Sequence, residues 1–248
     1  MYIYFAHIYD KLMSDINYSD WADYIEKIFE KNNLKPELLV DLGCGTGSFC
    51  IEMCNRGYDV IGIDSSSDML SCALTKAENA QLPNEKLLFL NQDMTEFELY
   101  GTVDAIVSLI DSMNYITDKR KLKRTFKLIW NYLNHGGLFI FDINSVYKFE
   151  NILCNNTFHY ITDDISYIWE NNYMKRNKIC EFDITFFVKE ENLYKRFDEI
   201  HQQRAYSVEE IINLALEYGL EVINIYDSLT FSKPNAKSER IFFVLRKP

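Results

Sequence analysis

The chain lacks a CxxC pair, carries only four prolines, and has no tract of low complexity. Nor does any apolar run approach the roughly 18 residues that suggest a membrane span. Each absence narrows the field. Six cysteines (Cys44, Cys50, Cys54, Cys72, Cys154, Cys180) with only four histidines signal neither a zinc site nor a disulfide framework, so reduced thiols in a reducing compartment are expected, with no metal. The opening Met1-Tyr2-Ile3-Tyr4-Phe5 shows no basic leader region or cleavage site, which points to the cytoplasm and away from a membrane. Basic residues are also scarce. With 26 of them against 37 acidic ones, the net charge is −11 and the field repels polyanions, which argues against a nucleic-acid partner. The one dense basic cluster, Lys119 to Arg124, reads as the solvated face of a helix.

What is present is ordinary globular composition, 48% hydrophobic and 25% charged over 248 residues. That length suits one large domain with an insertion. Trp21, Tyr24, Ile25, Ile28 and Phe29 recur at helical spacing over 19–33, with Ser19 as the expected N-cap, after a shorter helical candidate at 5–14. Short apolar runs then alternate with helical stretches. The runs are Leu38–Leu42, Asp59–Ile63, Leu87–Leu90, Val103–Leu109 and Leu138–Ile143; helices are expected at 47–56, 66–78 and 118–134, the last stopped by His135-Gly136-Gly137. Continuous apolar strands between helices predict a parallel sheet covered on both faces.

After residue 144 the pattern changes to short alternating, aromatic-rich segments at about 155–205, the mark of antiparallel strands. A capping box, Ser207 with Glu210, opens a further helix to Tyr218. Strands Leu220–Tyr226 and Arg240–Leu245 close the chain as a hairpin. The expected architecture is α/β, with a core over 1–150 plus 206–248 and a strand-rich insertion over 151–205. His201 and Arg204, where the insertion returns to the core, read as a solvated strand edge.

The first apolar run ends in Asp41-Leu42-Gly43-Cys44-Gly45-Thr46-Gly47. A glycine loop at the carboxyl end of a parallel strand is where ligands bind in such sheets. The dinucleotide pattern GxGxxG needs its third glycine at position 48, which is Ser48, and Asp41 would repel a pyrophosphate. A carboxylate there favours a ligand with an ammonium or sulfonium group. The loop is therefore expected to face a cation, and NAD chemistry fits poorly.

The loop resembles the first motif of class I S-adenosylmethionine-dependent methyltransferases, and later segments follow in that family's order. They are Gly62-Ile63-Asp64-Ser65-Ser66, Gln92-Asp93-Met94, Val107 to Tyr115, and His135-Gly136-Gly137-Leu138-Phe139. The strand insertion is similar in position to those of glycine N-methyltransferase and the sugar N,N-dimethyltransferases. The resemblance implies a doubly wound Rossmann-like fold, a mostly parallel seven-stranded sheet with an antiparallel last strand, and an insertion over the active-site mouth. It implies S-adenosylmethionine as cofactor and S-adenosylhomocysteine as product. Cofactor-binding residues would be Asp41, Gly43, Cys44, Gly45 and Gly47 in the loop, Asp64 on the ribose, with Ser65 beside it, and Met69, Asp93 and Met94 around adenine. Leu109 would line the methionine end. Tyr9, Asp111, Asn114 and Tyr115 are expected near the transferred methyl, and Tyr4 to Asp10 resembles a segment that folds across bound cofactor. The bland readings stand beside these: Asp64 as a helix cap, Met69 as core, Asp93 as a turn residue, Asp111 and Asn114 as turn formers, the tyrosines as half-buried aromatics. The expected activity is methylation of a small molecule such as an amine. RNA or protein methylation, or cofactor binding without turnover, are the rivals.

Overall fold

A computed structural model describes residues 3–83 and 85–248, and side chains from residue 5 onward. The first residues of the opening segment, read above for a leader, lie outside this description. Two helices, α1 (Ile3–Leu12) and α2 (Tyr18–Lys31), lead into β1 (Leu38–Leu42). Then follow α3 (Ser48–Asn55), β2 (Asp59–Asp64), α4 (Ser67–Asn79), β3 (Leu87–Asn91), β4 (Val103–Ser108), α5 (Lys119–Tyr132) and β5 (Leu133–Asn144). The insertion carries β6 (Thr157–Ile161), β7 (Ile165–Met174), β8 (Ile179–Glu190) and β9 (Leu193–Arg204), and α6 (Val208–Glu217), β10 (Glu221–Asp227) and β11 (Arg240–Arg246) complete the chain.

The seven-stranded sheet has the order β10-β11-β5-β4-β1-β2-β3, parallel except for β11, which runs antiparallel to both β10 and β5. Strand order reverses between β1 and β4, so the crevice at their carboxyl ends is the topological switch point. Leu39, Val40, Ala105, Ile106, Ile140 and Phe141 in the central strands are fully buried, as the continuous apolar runs predicted.

Three local expectations are corrected. Asn17, not Ser19, caps α2, because its side chain accepts the Ser19 amide and the helix begins one residue earlier. Helix α5 ends at Tyr132, before His135-Gly136-Gly137; β5 starts at Leu133, and Gly136 and Gly137 exchange backbone bonds with Lys247. Sheet hydrogen bonds have taken the place of a glycine C-cap. His201 is only 7% exposed, not a solvated edge residue, since alternation along β9 turns Glu199, His201 and Gln203 inward.

Beta-strands 6 to 9 form a separate antiparallel sheet. Phe149 and Leu153, in a six-residue turn of π-helix after β5, pack with Tyr173, Cys180 and Phe182 of this sheet. On its other flank Ile8 of α1 packs with Ile165 and Phe186. Helix α1 thus lies between the insertion and the glycine loop. Its Asp10 accepts hydrogen bonds from Thr46 Oγ1 at 2.5 Å and Lys76 Nζ at 2.7 Å.

Candidate active site

The glycine loop turns sharply because Gly43, Gly45 and Gly47 all adopt positive φ, at 79°, 54° and 70°. A Cβ on Gly43 would lie 2.9 Å from Met94 Cε and Ser112 Cβ, so this glycine brings three loops together. A Cβ on Gly45 would meet nothing within 4 Å, so that glycine borders open space. The Gly45 amide donates to Asp64 Oδ2 at 2.8 Å, and the Ser66 amide donates to Asp64 Oδ1 at 2.8 Å. One carboxylate therefore ties the loop to the end of β2, while each of its oxygens keeps accepting capacity for a further donor.

Beside it opens a cavity of about 320 Å3. Of the residues expected from sequence, Gly43, Asp64, Ser65, Asp93, Met94 and Tyr115 line it. Asp93 accepts the Thr95 amide at 2.8 Å and pairs with Lys121 Nζ at 3.5 Å. Against the upward push of burial, these contacts hold its carboxyl below the usual range. Lys121, assigned from sequence to a solvated helix face, is a lining residue that sequence reasoning missed, because nothing in the basic run singles it out.

The remaining expected residues lie off this lining. Asp41 is 3% exposed, and Cys50 Sγ donates to its Oδ2 at 3.3 Å. Burial pushes its pKa up to about 7, against the Cys50 hydrogen bond and reinforced by the charge of Asp64. Burial likewise raises the Asp64 carboxyl, although the Ser66 and Gly45 amides oppose it. Two buried carboxylates with raised pKa values side by side mark the loop as a candidate functional site. Cys44 and Gly47 belong to the turn, while Met69 and Leu109 are buried at 7% and 5% exposure.

Asp111 sits in a left-handed pair with Ile110, at φ 53° and 55°, after β4. The Ile110 and Asp111 amides donate to Asp142 at 2.7 and 2.9 Å, which holds this unusual turn. Asp111 itself accepts from Arg240 at 2.8 Å and from Gln203 Nε2 at 2.7 Å, and Arg240 also pairs with the buried Asp142. Burial disfavours the guanidinium charge, but the two carboxylates overcome it and raise the Arg240 pKa. Asn114 is wholly buried: its Nδ2 donates to Arg204 O at 2.8 Å, and its Oδ1 accepts the Asn144 amide at 2.9 Å. Its amide is spent on joining β5 to β9. Tyr9 is largely buried against Phe5, with Tyr115 and Asp111 close enough for their charges to act on it. Burial first, and then the Tyr18 phenol and these neighbours, push its pKa well up, so the group is a neutral phenol. Tyr115 is 48% exposed and meets His201 edge-on at 6.0 Å.

The Methyltransferase domain family matches residues 39–137, the span that holds the loop and the cavity. Over 98% of this chain and 96% of its own length, YqeM of Bacillus subtilis (strain 168), which bears a provisional methyltransferase name without an acceptor, is 37% identical. The crystal structure of an S-adenosylmethionine-dependent methyltransferase from Clostridium acetobutylicum superposes with a TM-score of 0.90 at 37% identity, covering 99% of this chain and 98% of that one.

The chain belongs to the S-adenosylmethionine-dependent methyltransferases. It is an enzyme of that family, with the family's Rossmann-like fold and its cofactor. Two partial matches, each 26% identical, differ in what their names say they methylate. One is a glycine/sarcosine N-methyltransferase of Parasynechococcus marenigrum, matched over 49% of this chain and 42% of that protein. The other is a tRNA (guanine-N(7)-)-methyltransferase of Mycoplasma genitalium, matched over 61% and 79%.

Proposed function

We propose that this methyltransferase acts on the nitrogen of a small-molecule amine. The observation that carries the reading is the second sheet, whose inward strand β9 meets the carboxyl ends of β4 and β5 through Gln203 on Asp111 and Arg204 on Asn114. Residues 151–205 would cover the mouth of the site, leaving room for a small acceptor only. The name of the glycine/sarcosine relative agrees with an amine.

The lining fits S-adenosylmethionine. Asp64 offers acceptors to the two ribose hydroxyls, Asp93 to the adenine amine and Met94 its backbone and thioether, and a bound sulfonium and ammonium would draw Asp64 and the Asp41 beneath the loop toward their charged forms. When bound, the cofactor would supply an electrophilic methyl carbon to the lone pair of a neutral amine, with sulfur as the leaving group and the surplus proton lost to water. The protein's part is positioning and exclusion of water. Asp111 is held by Arg240 and Gln203, so it fixes the turn after β4. Tyr9 and Tyr115, both at the junction of α1, β9 and the cavity, are the groups we place beside the acceptor.

The tRNA relative raises the nucleic-acid alternative, and the basic face of α5 speaks against it. Lys119, Arg120, Lys121, Lys123 and Arg124 pair with Glu210, Asp118, Asp93, Glu217 and Glu96 respectively, so that the patch is neutralised within the chain.

Methyl-labelled cofactor offered with a panel of amines, and with bulk tRNA, tests the reading. Label in an amine supports it; label in tRNA alone overturns it. Replacing Asp64 by Ala weakens S-adenosylhomocysteine binding by about 1–3 kcal/mol, the usual loss for hydrogen bonds to a charged group. An unchanged calorimetric Kd would remove the ribose from Asp64.

A further inference from the structure

Two stretches of chain meet in the wall of the cofactor cavity, residues 92–95 after β3 and residues 116–118 with Lys121 at the start of α5. Among the described residues Lys121 is the one basic side chain of this lining. Other basic residues of α5 find their carboxylates away from the cavity, Lys119 at Glu210, Lys123 at Glu217 and Arg124 at Glu96. Lys121 instead reaches Asp93, which lines the same space. The other acidic residue at that end, Asp118, is taken by Arg120, whose amide lies at 2.7 Å and guanidinium at 3.0 Å.

The Asp93–Lys121 pair is incomplete on both sides. Asp93 Oδ1 accepts the Thr95 amide at 2.8 Å, while Asp93 Oδ2 stands 3.5 Å from Lys121 Nζ, beyond the roughly 2.7–3.2 Å of an ordinary hydrogen bond. A carboxylate accepts at about four positions and an ammonium donates three protons, so each keeps capacity after meeting the other. No second acceptor reaches Lys121 Nζ among the described residues. Against the upward push of burial, Thr95 and Lys121 hold the Asp93 carboxyl below its usual range, so the acceptor is charged before any ligand arrives.

The pair thus presents an acceptor beside a donor. Adenine carries the complement along one edge, its 6-amine as donor and N7 as acceptor, the two groups that a single Asn or Gln amide grips in duplex DNA. Ionised side chains make the same contacts more strongly than an amide does.

We infer that Lys121 is a specificity-determining residue for the cofactor's base, donating to adenine N7 while Asp93 accepts from the 6-amine. The inference rests on the placement of adenine against Asp93 proposed above and is independent of the methyl acceptor. It gives the two side chains separate tasks. Asp93 rejects a base with oxygen at C6, because two acceptors would then meet, and Lys121 rejects a base without N7, because its donor would lose a partner. The Met94 backbone is left to N1, on the other flank of the amine.

Calorimetric titration with S-adenosylhomocysteine, its 7-deaza analogue S-tubercidinylhomocysteine and its 6-oxo analogue S-inosylhomocysteine is the test, and it needs no turnover. The wild type binds each analogue about tenfold or more weaker than S-adenosylhomocysteine, the usual scale for a lost hydrogen bond to a charged group. Lys121→Met keeps the stem of a half-exposed side chain. That variant binds S-adenosylhomocysteine about tenfold weaker, binds the 7-deaza analogue as the wild type does, and still rejects the 6-oxo analogue. Such a cycle between one residue and one ring atom isolates their contact from any general loosening of the wall. Equal wild-type binding of S-adenosylhomocysteine and the 7-deaza analogue, with the 6-oxo analogue still rejected, overturns the role of Lys121 and leaves adenine on Asp93. A 7-deaza penalty that persists in Lys121→Met gives N7 to another group and overturns it too. Equal binding of the 6-oxo analogue would take adenine off Asp93, and the inference would fall with that placement while the amine acceptor stood.

Discussion

The seven-stranded sheet and the four-stranded insertion bury their inner faces differently. In the parallel core most of the charged groups at the strand ends, Asp41 excepted, are answered within the chain: Asp64 by two backbone amides, Asp111 and Asp142 by Arg240, Asp104 by the Glu37 and Leu38 amides. The insertion mixes stacked aromatics such as Phe186 on Phe197 with Glu199, Asn171 and Trp169, whose polar atoms are left over. A core that satisfies its own charges can hold a geometry without ligand.

That contrast can be broken from either side. Arg240→Met strands two carboxylates in the core and should cost about 3–5 kcal/mol of global stability, the usual penalty for halving a buried pair. Denaturant unfolding checks it, and a loss under 1 kcal/mol would mean that Asp142 and Asp111 do not depend on the pair. Phe186, 1% exposed, lies in the insertion and packs on Phe5 of α1. Phe186→Ala should cost about 3 kcal/mol, but locally: hydrogen exchange should quicken in β6–β9 and α1 while the parallel sheet stays protected. Uniform exchange across both sheets would show that they unfold as one unit.

A third prediction follows from Asp41, a core carboxylate whose side chain, among the described residues, accepts from the Cys50 thiol. The Asp41 pKa lies near 7 in the folded chain against an ordinary 3.8. The folded state therefore binds more protons than the unfolded state across this window. Its contribution to stability is full below about pH 4 and is lost as pH rises through 7. Cofactor-free protein should lose about 2–4 kcal/mol from this group between pH 4 and 8, one unit being worth 1.36 kcal/mol. Asp41→Asn should remove the slope, raise Tm at pH 8 and weaken S-adenosylmethionine binding; a variant that keeps full affinity would take Asp41 out of cation recognition. The smallest effect is at the return to the core, where Ser207→Ala removes one half of the capping box and should cost about 1 kcal/mol in thermal unfolding.

Much of the core was legible because its signals are local. Glycines at alternate positions carry their positive φ with them, an apolar run of five reads as a buried strand, and Ser207 with Glu210 reads as a cap wherever the helix packs. The errors were also local in cause. Asn17 outcompeted Ser19 as a cap by standing one residue before the helix, and Lys247, more than a hundred residues away, captured Gly136 and Gly137 for the sheet.

The sequence by itself determined the order of strands and helices, the loop and the carboxylates at the ends of β1, β2, β3 and β4, since each depends on neighbours a few residues apart. Which of those carboxylates reach open space was decided only by tertiary structure. Asp64 and Asp93 line the cavity, Asp41 is sealed beneath the loop and Asp111 is clamped by Arg240, a residue brought in from the last strand. The inner face of the insertion belongs to the same class of fact. Trp169 and Glu199 are thirty positions apart in the chain and become one surface only through the register of β7, β8 and β9, because hydrogen bonding between strands, and not spacing along them, sets which side chains share a face.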